Sequence, residues 1–420
     1  MRLKIIIYIL TIFTSAMTAA ETGMFTEIFN PHFRTLKLTS ADNFMSPPVI
    51  RLDTDDKLII TFDELGDNFS QLQYRLIHCN ADWKPSRLVE SEYIDGFNIA
   101  DINDYAYSEN TYIHFVNYRI VLPNEDMRPI HSGNYLLQVF ERENPDKTIL
   151  QARLYVTEGT AQINGTATSR TDKGFNQDWQ QLEFTVDLGS LKNINAYQDI
   201  TVTTGQNIDE QSIRTIPAPL RTEGSFLTYA HKPELVFNAG NEYRRFESVS
   251  NSFAGMGVDS LKYIGDNYHI WLKQDRPRAL RNYEFDRTQH GRFLVREYNA
   301  TDSDLGADYI TVHFTLDMPF QKDLDIYVDG EMTHGKFGTY NKMVYNPDKH
   351  CYTLELPLKQ GAYNYRYRAF RTGDPTEFSK ALPIIEGDKY ETGNEYPVMV
   401  YYHPAGARAD RLIGFTVLSN

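Results

Sequence analysis

Cysteine is almost missing from this chain: two residues, Cys79 and Cys351, in 420. So few exclude a disulfide framework as the basis of the fold, which must rest on apolar burial. A bond between the two needs close Cβ atoms, which spacing alone does not establish. The pair is read as two buried thiols acting as small hydrophobes. Long apolar runs are missing too. Beyond the N-terminus no stretch reaches the roughly 20 apolar residues of a membrane helix, so no membrane insertion is expected of the remaining chain. Positive charge is in deficit, with a formal net charge of −14. An acidic surface disfavours nucleic acid and anionic lipid as partners. Helical periodicity is nearly absent, and the best helix candidate is the short stretch Ser86–Tyr93.

Catalytic signatures are missing as well. There is no His-Glu-x-x-His and no Cys pair at metal-ligand spacing, and the eleven histidines are scattered. No Gly-x-Ser-x-Gly elbow is present, and Gly255-Met256-Gly257 is not followed by the Lys-Ser/Thr of a phosphate loop. Carboxylates abound, yet nothing singles out two as a glycosidase pair. Asp302, Asp304 and Asp308 offer oxygens to calcium, but the EF-hand pattern is not met and the stretch reads as a solvated acidic linker. His78 and Cys79 are neighbours on a strand pattern, which sends their side chains to opposite faces and excludes a hydrogen-bonded dyad. No catalytic residue, metal or cofactor is expected, and the chain is read as a non-enzyme.

What the chain does have begins with a leader. Arg2 and Lys4 precede an apolar run, Ile5 to Phe13, and small residues follow, with Thr18 and Ala20 at the positions a signal peptidase inspects. Residues 1–20 are therefore expected to be a signal peptide, and their removal takes the charge from −14 to −16. Export implies an extracytoplasmic location. Aromatics make up 13% of the chain, with 28 Tyr and 24 Phe, many at period-two spacing. In Leu72–Cys79, Leu72, Tyr74, Leu76 and His78 share one face. Ile310, Val312, Phe314 and Leu316 do so in Tyr309–Leu316, and Tyr363, Tyr365 and Tyr367 alternate with Asn364, Arg366 and Arg368. Turn signals such as Ser132-Gly133-Asn134 and Asp329-Gly330 punctuate the strands.

Many short strands between turns predict a mostly β protein of tandem immunoglobulin-like, early-set β-sandwich domains. Three units are expected after the leader: 21–157, 158–296 and 297–420. The second contains a polar, irregular stretch, Gln206–Ser225, and Asn299–Gly306 suits a linker. The layout of the third looks like an early-set module of the class that includes glycogen-binding modules. Its Phe337, Tyr340 and Tyr345 could stack on sugar rings or fill the sandwich core.

The first unit carries a distinctive string. It runs Leu76-Ile77-His78-Cys79-Asn80-Ala81-Asp82-Trp83-Lys84-Pro85-Ser86, then Glu92-Tyr93-Ile94-Asp95-Gly96-Phe97-Asn98. Ile102, Asp104-Tyr105, Ser108-Glu109-Asn110-Thr111, Tyr118, Leu122-Pro123-Asn124 and Ser132-Gly133-Asn134-Tyr135 continue it. In order and spacing this resembles the N-terminal domain of the type IX secretion system plug protein family, across Asn30–Val156. Asn238-Ala239-Gly240-Asn241-Glu242-Tyr243-Arg244-Arg245-Phe246 looks similar to the same family. The resemblance implies a periplasmic, non-enzymatic plug. Its partner would be the large outer-membrane translocon barrel of that system, whose periplasmic mouth it seals when no transport is under way. The alternative is a carbohydrate-binding protein of the cell envelope. The aromatic mix of Trp83–Asn117 suits a partner interface, with Trp83, Tyr93, Phe97, Tyr105, Tyr107 and Tyr112 as candidates; the same rings could instead be the unit's own core.

Overall fold

The structure, a computed structural model, describes residues 24–189, 191, 194–374 and 376–420. The expected leader, 1–20, lies outside the described residues. The fold is mostly β, as expected: predominantly antiparallel sheets stack in pairs, with parallel pairings at Val49–Arg51/Asn144–Thr157 and Asn267–Leu272/Tyr309–Leu316, and the only α-helices among the described residues are two single turns. No described helix is long and apolar enough to cross a membrane.

The first sandwich follows from strict alternation. In Leu72–Cys79 the predicted face, Leu72, Tyr74, Leu76 and His78, is buried, and the strand pairs with Gly133–Glu141, which pairs in turn with Asn144–Thr157. The facing sheet orders Phe33–Ser40, Leu58–Leu65, Phe115–Leu122 and Tyr105–Tyr107. Leu58, Ile60, Phe62, Leu76, Tyr118 and Leu154 form the core between them, with Tyr118 stacked on Phe62 at 5.3 Å. Aromatic and aliphatic burial of this kind is the main favourable term in folding.

The expected boundary at 296/297 does not separate two cores. Residues of 161–237 share one core with Tyr396, Val398, Val400, Ile413 and Leu418, whereas Phe246 to Ile385 form another. The reason is strand pairing: Glu395–Tyr402 pairs with Ile200–Gln206, and Arg411–Ser419 lies beside it. The chain thus leaves the second sandwich, builds the third as an insertion, and returns to complete the second with its C-terminal hairpin. In the third sandwich Tyr363 lies between Phe246 and Phe293, with ring centroids 5.1 and 5.2 Å away. Its other sheet runs Val258–Ile264, Asn267–Leu272, Tyr309–Leu316, Cys351–Lys359 and Val344–Asn346.

Three local expectations are corrected. The helix expected over Ser86–Tyr93 is one turn, Glu90–Tyr93, because Pro85 bridges to Cys79 and the Ser86 N–H donates to the His78 carbonyl. The stretch Gln206–Ser225 is not irregular: Asp209–Ile216 is a strand, and its polar inward groups, Asp209 and Ser212, are buried with hydrogen-bond partners. Asn299–Gly306 is not a linker between units. Its single turn Ser303–Gly306, capped by Asp302, sits against the first unit. Both cysteines are free and buried, as expected.

Candidate partner interface

The family-like string turns out to be a joint. After Cys79 the chain makes a tight turn in which the Trp83 N–H donates to the Asn80 carbonyl and Trp83 adopts φ +63°. That turn is gripped by the C-terminal hairpin. The Ala81 N–H donates to Asp410 at 2.8 Å, and the Asp410 N–H donates back to the Asn80 side chain at 3.0 Å. Trp83 packs edge-on against Tyr155, with the Arg153 guanidinium over its ring at 4.0 Å. Cys79, Leu136 and Tyr155 of the first unit close over Met399, Tyr401 and Leu412 of the second. Burial pushes the Cys79 thiol up to about 12, so it stays protonated, and lowers His78 to about 4. The two side chains point to opposite sides, His78 into the first core and Cys79 into the joint.

Every pair of units shares such a seam. Between the first and third, Asp63 accepts from Lys359 and Tyr309, each at 2.7 Å, and from Asn117 of its own unit at the same distance; Lys359 and Asp63 are 1% and 0% exposed. Burial holds the Lys359 ammonium below its ordinary range even against the pull of Asp63, and drives the Tyr309 phenol well up. Asp308 accepts from the backbone N–H groups of Tyr112 and Ile113. Between the second and third, Arg366 and Arg368 bridge Asp209 and Asp329, and Arg292 meets Glu395 at 2.8 Å. Burial raises Asp209 to about 6. The N-terminal segment threads the junction of all three. Phe25 lies between Arg153 and Lys336, Thr26 donates to Glu210, and Glu27 pairs with Lys336.

Two of the six candidate interface residues are not available to a partner. Trp83 is taken by the joint. Tyr93 is buried against His78 and Tyr135, with its hydroxyl on the Leu76 carbonyl. The other four are at the surface: Phe97 is 78% exposed, Tyr112 53%, Tyr107 50% and Tyr105 37%. Phe97 is thrown outward by the ribbon Ile94–Gly96/Met127–Pro129. Gly96 takes φ +107° there, where a Cβ would stand 2.1 Å from the Asp126 carbonyl oxygen. Val89, Ile99 and Ile130 are exposed on either side of that ribbon. Tyr105 and Tyr107 lie on an edge strand, Tyr105 stacked on Phe69 at 4.8 Å. Tyr112 instead joins Tyr263 and Tyr268 of the third unit. Among the described residues no ring contact links these four to one another.

The remaining sequence candidates have structural partners. Asp304 pairs with Lys37, and Asp302 caps the turn that follows. Phe337 packs on Tyr327 and Phe370, Tyr345 packs on Tyr352, and the Tyr340 hydroxyl donates to backbone carbonyls. Sequence reasoning missed Asp63, Lys359 and Asp410. The available signal was a charge standing inside a strand rich in apolar residues, as Asp63 does in Leu58–Leu65.

Comparison with known proteins bears on the first unit and on the whole chain. The family model described as the type 9 secretion system plug protein 1st domain matches residues 33–158. The crystal structure of a hypothetical protein from Parabacteroides merdae ATCC 43184 superposes with a TM-score of 0.90 at 36% identity, covering 94% of this chain and 99% of that one. No protein of curated function matches the chain.

Proposed function

The chain belongs to the type IX secretion system plug protein family, and from that premise we infer that it is a periplasmic plug. It binds the outer-membrane translocon barrel of that system and closes the barrel's periplasmic mouth between transport events. It performs no chemistry. The observation that carries this reading is the locking of three sandwiches into one body through three seams of buried ion pairs and rings. A barrel wide enough for folded cargo leaks unless a stiff body larger than a single sandwich blocks it. Reversible closure needs surface complementarity rather than an active site. The exposed rings of the first unit, Phe97, Tyr105 and Tyr107, supply amphipathic contact area on rigid strands, which suits the centre of such an interface.

The test is capture. The tagged chain is expressed in its own cell, the outer membrane is dissolved in mild detergent, and co-purifying chains are identified by mass. A very large barrel in fixed proportion to the tagged chain is expected. An intact, abundant chain that brings down no barrel contradicts the reading.

A further inference from the structure

A cavity of about 280 Å³ opens in the seam between the first and third units. Four charged residues line it with full ionic groups: Arg34, Lys336 and Lys359 are cationic and Glu27 is anionic. Two of the cations are spoken for. Lys336 pairs with Glu27 at 3.0 Å and Lys359 with Asp63 at 2.7 Å. Arg34 is different. Its Nε is buried and has no hydrogen-bond partner among the described residues, and no carboxylate there forms an ion pair with it. A buried guanidinium N–H without an acceptor is costly, and this one belongs to a half-buried cation in a chain whose net charge is −14.

The rest of the wall is mostly apolar, interrupted by the hydroxyls of Thr35, Tyr309, Thr333, Tyr340 and Tyr363 and the imidazole of His334. Phe29, Phe33, Phe293, Met332 and Leu356 come from both units. An apolar cavity of about 150 Å³ holds a benzene ring, so nearly twice that volume takes about ten non-hydrogen atoms. One charged fork above an apolar chamber is the arrangement that fixes an amphipathic anion: the guanidinium takes the carboxylate with two parallel hydrogen bonds, and the tail replaces water below.

We propose that this seam cavity binds a small monocarboxylate with an apolar body of about eight carbons, its carboxylate on Arg34 and its tail against Phe293 and Met332. Bound there, the ligand touches both units and stabilises the seam in proportion to its occupancy. The proposal stands independently of the barrel.

Calorimetric titration of the purified chain with sodium octanoate tests it, with acetate, inorganic phosphate, octanol and phosphatidylglycerol vesicles as comparison probes. Octanoate is expected to bind one to one, and more tightly than each of the others. Arg34→Gln weakens it by about tenfold or more, the loss of a charge-assisted pair. Met332→Trp, which fills the apolar end and leaves Arg34 in place, weakens it too and keeps the test open if Arg34→Gln unfolds. Equal binding of acetate or phosphate means that only charge is read, and equal binding of octanol means that Arg34 is idle. Either result overturns the proposal, as do preferential binding to the vesicles, unchanged octanoate affinity in folded Arg34→Gln, or no octanoate binding at all.

Discussion

Lys359 of the third unit donates to Asp63 of the first at 2.7 Å, in a seam where neither side chain reaches solvent. Removing Lys359 leaves Asp63 a buried charge without its counter-ion. Lys359→Met should therefore cost about 3–5 kcal/mol, whereas Lys359→Met with Asp63→Leu should recover part of it, because the Tyr309 and Asn117 donors then lose their acceptor. Denaturant unfolding of the two variants beside the parent chain checks this. Equal loss in both would mean that the seam depends on packing and not on the pair.

Trp83 ties the first unit to the C-terminal hairpin, so Trp83→Ala should loosen the joint as well as a core. The expected loss is about 3–5 kcal/mol, the usual cost of emptying a large aromatic site. Amide exchange should rise in 399–412 in parallel. Faster exchange confined to 72–86 would show that the hairpin does not depend on the ring.

Two buried groups should weaken the fold in acid. Burial holds His78 at about 4, against an ordinary value of 6.5. Below pH 6.5 the unfolded chain takes up a proton that the folded chain refuses. The His78 contribution then falls until about pH 4, by on the order of 3 kcal/mol. Glu386 acts lower. Burial alone would raise its carboxyl, but Arg244 and Arg278 overcome it and hold the group at about 2. Its contribution is complete above the ordinary 4.5 and is lost as pH falls toward 2. Asp209, raised by burial to about 6, acts in the opposite sense between about 6 and its ordinary 3.8, so unfolding midpoints from pH 7 to 3 read the His78 window from the difference between the parent and a His78 variant. His78→Gln should remove that window alone.

The two thiols should be silent in the folded protein. Burial keeps Cys79 protonated, with a pKa of about 12, and Cys351 is equally enclosed. Iodoacetamide should label neither before unfolding and both afterwards, and reductant should leave the melting temperature unchanged. Rapid labelling of the native chain would contradict the joint as described.

Replacing Tyr105 and Tyr107 by Ala should weaken capture of the translocon while leaving the unfolding midpoint within about 1 kcal/mol of the parent, since both rings are substantially exposed. A collapse of cooperative unfolding would instead make these rings part of the core that Tyr118 builds.

Period-two alternation identified the strands, because burial on one face is a local property of the sequence. Leu72–Cys79 and Tyr309–Leu316 match the expected bounds residue for residue. Pairing partners were not legible. Nothing local in Glu395–Tyr402 says that it sits beside Ile200–Gln206, almost two hundred residues earlier, rather than with its sequence neighbours. The insertion of the third unit was missed for that reason. The interface candidates split on the same principle: aromatic content marks sites and cores alike, and Trp83 and Tyr93 were taken by joint and core while Phe97 and Tyr107 were left outside. Asp63 could not be read as a seam residue without knowing that Lys359 would arrive opposite it.

The most direct test of the plug account is conductance. The purified barrel is placed in a planar bilayer in one orientation, and this chain is added first to one side and then to the other. The account predicts that a large, steady conductance closes when the chain reaches the periplasmic side, stays open when it is added opposite, and closes less readily with the Tyr105→Ala, Tyr107→Ala variant. A barrel that binds the chain yet conducts undiminished would contradict sealing while leaving binding intact.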